Sequence, residues 1–244
     1  MALTARPYLQ RVELQDVPDS DYEAYPFNIP AVRDMDAIRF HADVTFLVGE
    51  NGAGKSTVLE AIAMALGFAP EGGTRNTMLS TTDSVSSLHK ALRLVKGFRQ
   101  PRDRYFLRAE SMFNVATYLD DMPGARGYGG KKLHARSHGE LFLAVLVEQF
   151  KGHGLYLLDE PEAALSPQRQ LAALAAIHQL VGQESQFIIA THSPILLAYP
   201  NARILQFDAT GITDVAYEDT QHFAITRDFL NHYPRRIEQL LADE

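Results

Sequence analysis

Short apolar runs in this chain alternate with longer segments that have the apolar spacing of helices. The runs Asp43–Val48, Gly154–Leu158 and Gln186–Thr191 are apolar almost throughout. Runs of this length, bounded by turn residues, are typical of strands covered on both faces. A good helix-forming segment follows the first run over Val58–Leu66, and Ser166–Pro167 begins another helix with an N-cap and a proline at its first position. The alternation predicts an α/β fold with a mostly parallel central sheet.

Weaker patterns predict elements around that core. Tyr8–Leu14 alternates like a half-buried strand, and Phe27–Ile29, between two prolines, is typical of a short edge strand. Val85–Val95 has helical apolar spacing, and Ser137–Phe150 should be a helix. No repeat, low-complexity tract or long linker interrupts the chain, so we predict one domain over 1–244.

The segment directly after the first apolar run reads GENGAGKST and fits the phosphate-loop pattern G-x-x-x-x-G-K-[ST] at every fixed position. It lies between a predicted strand and a predicted helix, as the motif requires. The glycines let backbone N–H groups surround an anion at a helix N-terminus. Lys55 would reach the β- and γ-phosphates, and Ser56 would hold Mg²⁺. The predicted nucleotide-binding residues of this loop are Gly49, Glu50, Asn51, Gly52, Ala53, Gly54, Lys55, Ser56 and Thr57.

A second motif closes the apolar run Leu155–Leu158, which is followed by Asp159 and Glu160. This is the form of a Walker B strand, which delivers an acidic pair beside the phosphate loop. Asp159 would join the Mg²⁺ shell, and Glu160 would polarise the water that attacks the γ-phosphate.

Two further sites have both a structural and a functional interpretation. Ser137–Glu140 (SHGE) forms a capping box for the next helix, and its hydroxyl and free N–H groups could also bind an anion. His192 follows the strand QFIIAT. A histidine there is often structural, but its imidazole could contact a γ-phosphate.

These motifs together resemble those of the ATP-binding cassette (ABC) ATPases in order and spacing: GENGAGKST, SHGE, LYLLDE and ATHS. Details such as EPEAALSPQRQ and THSPILLA are similar to a stand-alone cytosolic "AAA family ATPase" group, related to SMC and overcoming-lysogenization-defect ATPases. Transport ATPases typically show LSGGQ and EPTSALD instead. The resemblance covers nearly the whole chain and is specific for nucleotide chemistry, not for biological role.

The resemblance implies a P-loop NTPase three-layer sandwich with an N-terminal antiparallel β subdomain. It also implies a small helical, signature-bearing subdomain inserted at roughly 83–150. Two chains would pair head to tail around two ATP molecules, so that Ser137 and Gly139 of one chain face the phosphate loop of the other. Ala163–Ser166 would line that interface. Only 80 residues separate the phosphate loop from SHGE, which leaves no room there for a long coiled-coil arm.

The resemblance leaves two roles unsettled. Where the family has a glutamine that joins Mg²⁺ and the attacking water, this chain carries Glu110, with Gln100 as the fallback. For adenine stacking the candidates are Tyr22, Tyr25 and Phe27, each of which also suits core or edge packing.

Composition narrows the possible chemistry, cellular location and binding partners of the protein. The chain has no cysteine, which excludes disulfides and thiolate chemistry. It has no apolar stretch long enough to span a bilayer and no apolar leader, so we expect a cytoplasmic protein. The net charge of −7 disfavours broad nucleic-acid binding. Even so, the stretch Lys90–Arg136 holds eleven lysines and arginines against four acidic residues, a surface that suits a polyanion or simply a solvated helix.

Several functions remain open at this point. The leading hypothesis is an ATP hydrolase that cycles between an ATP-clamped homodimer and open monomers and drives an unidentified protein partner. The alternatives are the nucleotide-binding subunit of a membrane transporter, and an ATP-gated module that binds nucleic acid or a toxin-like partner. A phosphoryl-transfer kinase is a weaker fourth option, because an Asp-Glu pair suits water better than an acceptor group.

Overall fold

The computed structural model of the chain describes residues 6–15, 17–18, 22–74, 86–111 and 138–242. Its strands are β1 (Leu9–Leu14), β2 (Ala37–Arg39), β3 (Val44–Gly49), β4 (Leu92–Lys96), β5 (Asp103–Arg108), β6 (Gly154–Asp159), β7 (Gln186–Ala190), β8 (Arg203–Asp208) and β9 (Gly211–Val215). Its α-helices are α1 (Pro30–Arg33), α2 (Lys55–Ala65), α3 (His138–Ala144), α4 (Pro167–Gly182), α5 (Pro194–Leu197) and α6 (Gln221–Leu241). Single-turn 3₁₀ segments cover Ser87–Lys90, Pro161–Ala164 and Tyr217–Asp219, and a π-helical segment, Val145–Gln149, continues α3.

The central sheet has the strand order β5-β6-β7-β3-β8-β9. Its first five strands run parallel, and β9 pairs antiparallel with β8. Every residue of β3, β6 and β7 is buried, because helices cover both faces. Helix α2 packs in the core on one face, whereas α3 and α4 pack in the core on the other. The predicted α/β sandwich is therefore confirmed.

A smaller antiparallel sheet, in the order β2-β1-β4, lies on the α2 side of the molecule. It confirms the predicted N-terminal β subdomain and corrects a local prediction. The described part of the predicted helix Val85–Val95, residues 86–95, is not an α-helix, since Ser87–Lys90 is a 3₁₀ turn and β4 then pairs with β1 from Leu92 onward. Leu88 and Leu92 are buried. Their four-residue separation suited a helix, but strand pairing with β1 outweighs that local preference.

The segment Phe27–Ile29 is likewise not an edge strand. It forms a turn that leads into α1, and Phe27 is buried with its ring edge-on to Tyr22. The prolines that suggested a strand edge instead flank a turn, and Pro30 occupies the first position of α1.

Gln186, the first residue of β7, joins the two sheets. Its side-chain amide donates to the backbone carbonyl of Leu9 in β1 at 2.9 Å, and its side-chain oxygen accepts from the Leu9 backbone N–H at 2.9 Å. The same amide also donates to the carbonyl of His41 at 3.0 Å. Because Gln186 is fully buried, these hydrogen bonds fix β1 against the end of β7 in a water-free environment.

The predicted helical insertion at 83–150 stays a prediction. The described part of that range contains β4, β5 and α3, while residues 112–137 lie outside the described residues. Within the described part, Leu141, Phe142 and Leu146 are buried against the sheet face that α4 also covers. The predicted helix from 137 is found from His138, and its last turn is π-helical.

Candidate nucleotide site

The predicted phosphate loop connects the end of the buried strand β3 to α2. Gly54, at the N-cap of α2, has a left-handed φ of 97°, and Lys55 is the first helical residue. Gly49 has a φ of 146°, and a Cβ there would lie 2.2 Å from the carbonyl oxygen of Phe207 in β8. A side chain at position 49 would therefore collide with the neighbouring strand, which explains the glycine at the start of the loop.

Lys55 lies in the concave side of this loop and is only 4% exposed. Its Nζ donates to the carbonyls of Gly49 and Glu50, both at 2.9 Å. Burial lowers the pKa of Lys55, and the carboxylates of Glu160 and Asp159 oppose that shift. The loop thus holds an ammonium group at its centre. This group donates hydrogen bonds to backbone carbonyls, and phosphate oxygens could take the place of those carbonyls as acceptors.

Ser56 and Asp159 meet between the loop and the end of β6, where Ser56 Oγ donates to Asp159 Oδ1 at 2.8 Å. Burial raises the pKa of Asp159 to about 6, against opposing contributions from Arg108 and from the Ser56 hydrogen bond. The parallel pairing of β6 with β7 and of β7 with β3 brings the carboxyl ends of these strands together. Ser56 and Asp159, two of the three predicted metal ligands, therefore lie side by side.

Arg108 is a member of this site that the sequence did not reveal. Its Nε lies 3.3 Å from Asp159 Oδ2, and its Nη1 lies 2.6 Å from a carboxylate oxygen of Glu60 in α2. Arg108 pairs in register with Asp159 across β5 and β6. Because register depends on the three-dimensional pairing, the sequence alone does not place this arginine beside Asp159.

Glu160 and His192 face each other at the ends of β6 and β7. Glu160 has a left-handed φ of 48°, and its Oε1 lies 3.8 Å from His192 Nε2. The pKa of His192 is lowered by burial and by Lys55, while Glu160 and Glu162 oppose the shift. The structure thus brings Lys55, Asp159, Glu160 and His192 together in one cluster.

Glu162 joins the loops that carry Glu160 and His192, and it too was missed. One carboxylate oxygen accepts from the Thr191 hydroxyl at 2.7 Å, and the other accepts from the His192 backbone N–H. Glu162 lies within EPEAALSPQRQ, but nothing in that segment assigns it a partner. Its role becomes visible only when the two loops are adjacent.

The signature-like segment lies at the start of α3. Ser137 is outside the described residues. Gly139 is buried, and a Cβ there would lie 2.6 Å from the carbonyl oxygen of Ala164 and 2.5 Å from a guanidinium nitrogen of Arg169. The start of α3 is therefore packed closely against the predicted interface segment Ala163–Ser166 of the same chain.

The residues with unsettled roles occupy different surroundings. Glu110 is exposed in the turn after β5, and its charge contributes to raising the pKa of Asp159, so the two carboxylates interact. Gln100 is exposed and accepts a hydrogen bond from Arg104. Of the three aromatic candidates, Phe27 is buried, whereas Tyr25 is 62% exposed with its hydroxyl 3.3 Å from Thr57 Oγ1.

Solved structures share this architecture. An SMC head bound to the C-terminal winged-helix domain of ScpA superposes with a TM-score of 0.53 at 14% identity, over 86% of this chain and 98% of that one. CbiO1 of Clostridium perfringens, part of the ABC transporter complex cbiONQ, gives 0.52 at 16% identity, over 97% of this chain and all of that one. The chain has the fold of an ABC-type ATPase. The resemblance inferred from the motifs is thereby confirmed.

Sequence comparisons agree with that fold. Residues 27–110 of the chain, which include the phosphate loop and end at Glu110, match the AAA domain family. DNA repair protein RAD50 of Drosophila melanogaster is 38% identical over 72 residues, or 29% of this chain. Opaque-specific ABC transporter CDR3 of Candida albicans is 28% identical over 178 residues, or 62% of this chain. The chain spans only 5% and 12% of the lengths of these two relatives.

In the part of the chain that the structure describes, no helix combines the length and apolarity needed to cross a membrane.

Proposed function

We propose that this chain binds Mg-ATP in the loop Gly49–Thr57 and hydrolyses it with Glu160 as the general base. The observation that carries the proposal is the convergence of Lys55, Ser56, Asp159, Glu160 and His192 at the carboxyl ends of three neighbouring parallel strands. A buried ammonium, a hydroxyl–carboxylate pair and a second carboxylate are the parts that phosphoryl transfer to water requires.

The residues present fit Mg²⁺. Ser56 Oγ and Asp159 Oδ1 already lie 2.8 Å apart, and both are the hard oxygen ligands that this ion prefers. Mg²⁺ is usually held by one or two protein ligands together with phosphates and water. When bound, the ion would neutralise charge on the phosphate oxygens. We propose Glu110 as a further carboxylate near the Mg²⁺ ion, because the charge of Glu110 interacts with that of Asp159.

In this mechanism Lys55 exchanges its bonds to the Gly49 and Glu50 carbonyls for bonds to phosphate oxygens. Glu160 lies at the end of a buried strand, where it can accept a proton from water, and His192 offers Nε2 from the adjacent loop. The exposed Tyr25, next to Thr57, is our candidate for contact with the adenine ring.

We further propose that two chains pair head to tail and enclose two nucleotides, with Ser137 and Gly139 completing each site from the opposite chain. The close packing of Gly139 on Ala164 supports this, because it joins the signature-like turn and Ala163–Ser166 in one surface. Association would then depend on ATP by linkage, and an unidentified protein partner would receive the motion.

The experiment uses light scattering coupled to size-exclusion chromatography on Glu160→Gln, with and without Mg-ATP. We expect a dimer only with Mg-ATP, because the variant binds but cannot activate water. ATP turnover should fall by at least about two orders of magnitude. Lys55→Ala is the control, and it should bind no nucleotide and stay monomeric. Wild-type turnover by Glu160→Gln would contradict the assigned base.

The match to an ABC transporter favours a second candidate, a nucleotide-binding subunit for a membrane partner. The same experiment separates the two functions. If Glu160→Gln binds Mg-ATP and stays monomeric, the site needs another protein for completion, and the transporter function gains support over the self-contained homodimer.

A further inference from the structure

A second histidine lies behind His192, on a part of the chain that no motif covers. His222 is the second residue of α6, and its Nε2 lies 3.1 Å from His192 Nδ1. The ring centroids are 5.2 Å apart with an interplanar angle of 56°. At this distance one of the two nitrogens carries a hydrogen and donates a hydrogen bond to the other.

The remaining ring nitrogens decide the direction of that hydrogen bond. His192 Nε2 and His222 Nδ1 are both buried, and neither has a hydrogen-bond partner among the described residues. His192 Nε2 faces the Glu160 carboxylate, with Oε1 at 3.8 Å. Burial is the largest contribution that lowers the pKa of each histidine, so both rings are neutral near pH 7 and each carries one N–H.

Two arrangements are therefore possible. If His192 donated from Nδ1, its Nε2 lone pair would face a carboxylate, and His222 would bury an unpaired N–H at Nδ1. If His222 donates from Nε2, His192 carries its proton on Nε2, pointing at Glu160. Each arrangement leaves one N–H and one lone pair without a hydrogen bond, but in the second the unpaired N–H faces the Glu160 carboxylate, with Oε1 at 3.8 Å. The second arrangement is favoured, because it sets an N–H rather than a lone pair toward the negative charge of Glu160, so that electrostatic attraction replaces repulsion.

The start of α6 holds the His222 ring in place. Thr220 caps the helix by accepting from the Phe223 N–H, and its own hydroxyl donates to the Tyr217 carbonyl at 2.7 Å. The Tyr217 hydroxyl in turn donates to the carbonyl of Pro194, two residues after His192. The helix start is thus tied to the loop that carries His192.

We infer that His222 is a positioning residue for ATP hydrolysis. It donates from Nε2 to His192 Nδ1 and so holds His192 in the tautomer whose Nε2–H points at Glu160 and at the bound γ-phosphate. This inference rests on the proposed function. With the other tautomer, His192 would present a lone pair to a phosphate oxygen, and residues that fix a histidine in this way typically contribute about 10- to 100-fold in activity.

Two substitutions of His222 test the hydrogen bond. His222→Gln places an amide N–H near the position of Nε2 and can still donate, whereas His222→Phe fills the ring volume with no donor. We expect kcat of His222→Gln to stay within about threefold of wild type. For His222→Phe, kcat should fall by about 10- to 100-fold while KM for ATP changes by less than about twofold. Thermal unfolding of both variants checks that the fold persists.

A second readout does not depend on hydrolysis. Long-range ¹H–¹⁵N correlation spectra of the ¹⁵N-histidine-labelled protein show which ring nitrogen carries the proton, and the signal that disappears in His192→Gln is that of His192. We expect a protonated Nε2 in the wild type and a mixture of tautomers in His222→Phe.

The inference is overturned by a proton on Nδ1 of His192 in the wild type. Equal losses in the Gln and Phe variants, or an unchanged kcat in His222→Phe, would overturn it as well. If the wild type hydrolyses no ATP while the tautomer still depends on His222, the positioning stands and the proposed function fails. The two failures are therefore distinguishable, and the wild-type spectrum alone decides the tautomer even where a variant does not fold.

Discussion

At the scale of single residues, the site contains a carboxylate whose environment opposes its own charge. Asp159 is 5% exposed, and its pKa of about 6 lies above the 3.8 of an ordinary aspartate because burial outweighs the contacts with Arg108 and Ser56. A group in this state is ready for a cation, because a bound divalent ion favours the charged form. When no metal is bound, the buried charge of Asp159 lowers the free energy of unfolding.

We predict a pH dependence of folding from this residue. Between about pH 4 and pH 6 the folded chain keeps a proton on Asp159 that the unfolded chain has lost, so the free energy of unfolding falls as pH rises through that range. From pH 5 to pH 7.5 the wild type should lose about 1–2 kcal/mol relative to Asp159→Asn, as measured by urea denaturation without Mg²⁺. Parallel profiles for the two proteins would show that Asp159 titrates normally.

The residues gathered here were predictable only in part. Lys55, Asp159, Glu160 and His192 were found because each stands at a fixed place in a sequence motif next to a recognisable strand. Arg108 and His222 stand in no motif, and Glu162, although it lies within EPEAALSPQRQ, had no assigned role. The contacts of these residues arise from strand register, from the adjacency of two loops and from the return of α6 to the sheet. A sequence carries no local sign of such contacts.

At the scale of secondary-structure elements, fully buried strands were the most predictable parts. The strands β3, β6 and β7 are apolar on both faces, so their type follows from composition alone. The strand β4 was mistaken for a helix because only five residues take part and two apolar side chains four positions apart suit either structure. Pairing with β1, which is distant in sequence, decides its conformation.

The junction of β3 with the phosphate loop gives a prediction at this scale. Gly49→Ala should lower the free energy of unfolding by about 2–4 kcal/mol, because its Cβ would collide with the Phe207 carbonyl at a left-handed φ. Nucleotide binding should weaken as the loop shifts. Gly182→Ala at the exposed end of α4 is the matched control, since nothing lies within 4 Å of its Cβ, and it should be neutral or stabilising by up to about 1 kcal/mol. Equal effects of the two substitutions would contradict this account, and both are read from denaturant midpoints.

At the scale of the whole molecule, two sheets with separate hydrogen-bond networks form one body. Burial of apolar side chains between the small sheet and α2 supplies much of the attachment. Gln186 fixes the orientation of the small sheet. Its side-chain amide forms hydrogen bonds with both the N–H and the carbonyl of Leu9, and these bonds determine where β1 lies relative to β7.

Replacing this amide tests the attachment. Gln186→Leu should lower the free energy of unfolding by about 2–4 kcal/mol, since it leaves the N–H and carbonyl of Leu9 unpaired in a buried place. The exposed Gln179 on α4 provides the control, and Gln179→Leu should change stability by less than about 0.5 kcal/mol. Thermal and urea unfolding of the two variants should separate clearly, and similar midpoints would mean that apolar packing alone joins the sheets.

The double contact of Glu162 has a mechanical consequence. Because one carboxylate holds both Thr191 and the His192 backbone, the loop after β6 and the loop after β7 lose their independent degrees of freedom. Glu160 and His192 then travel together, whatever moves the surrounding subdomains. In the proposed ATPase cycle, opening and closing of the site would then reduce to a single coordinate, the distance of this joined pair from the phosphate loop. A partner protein would control the proposed hydrolysis by changing that one distance.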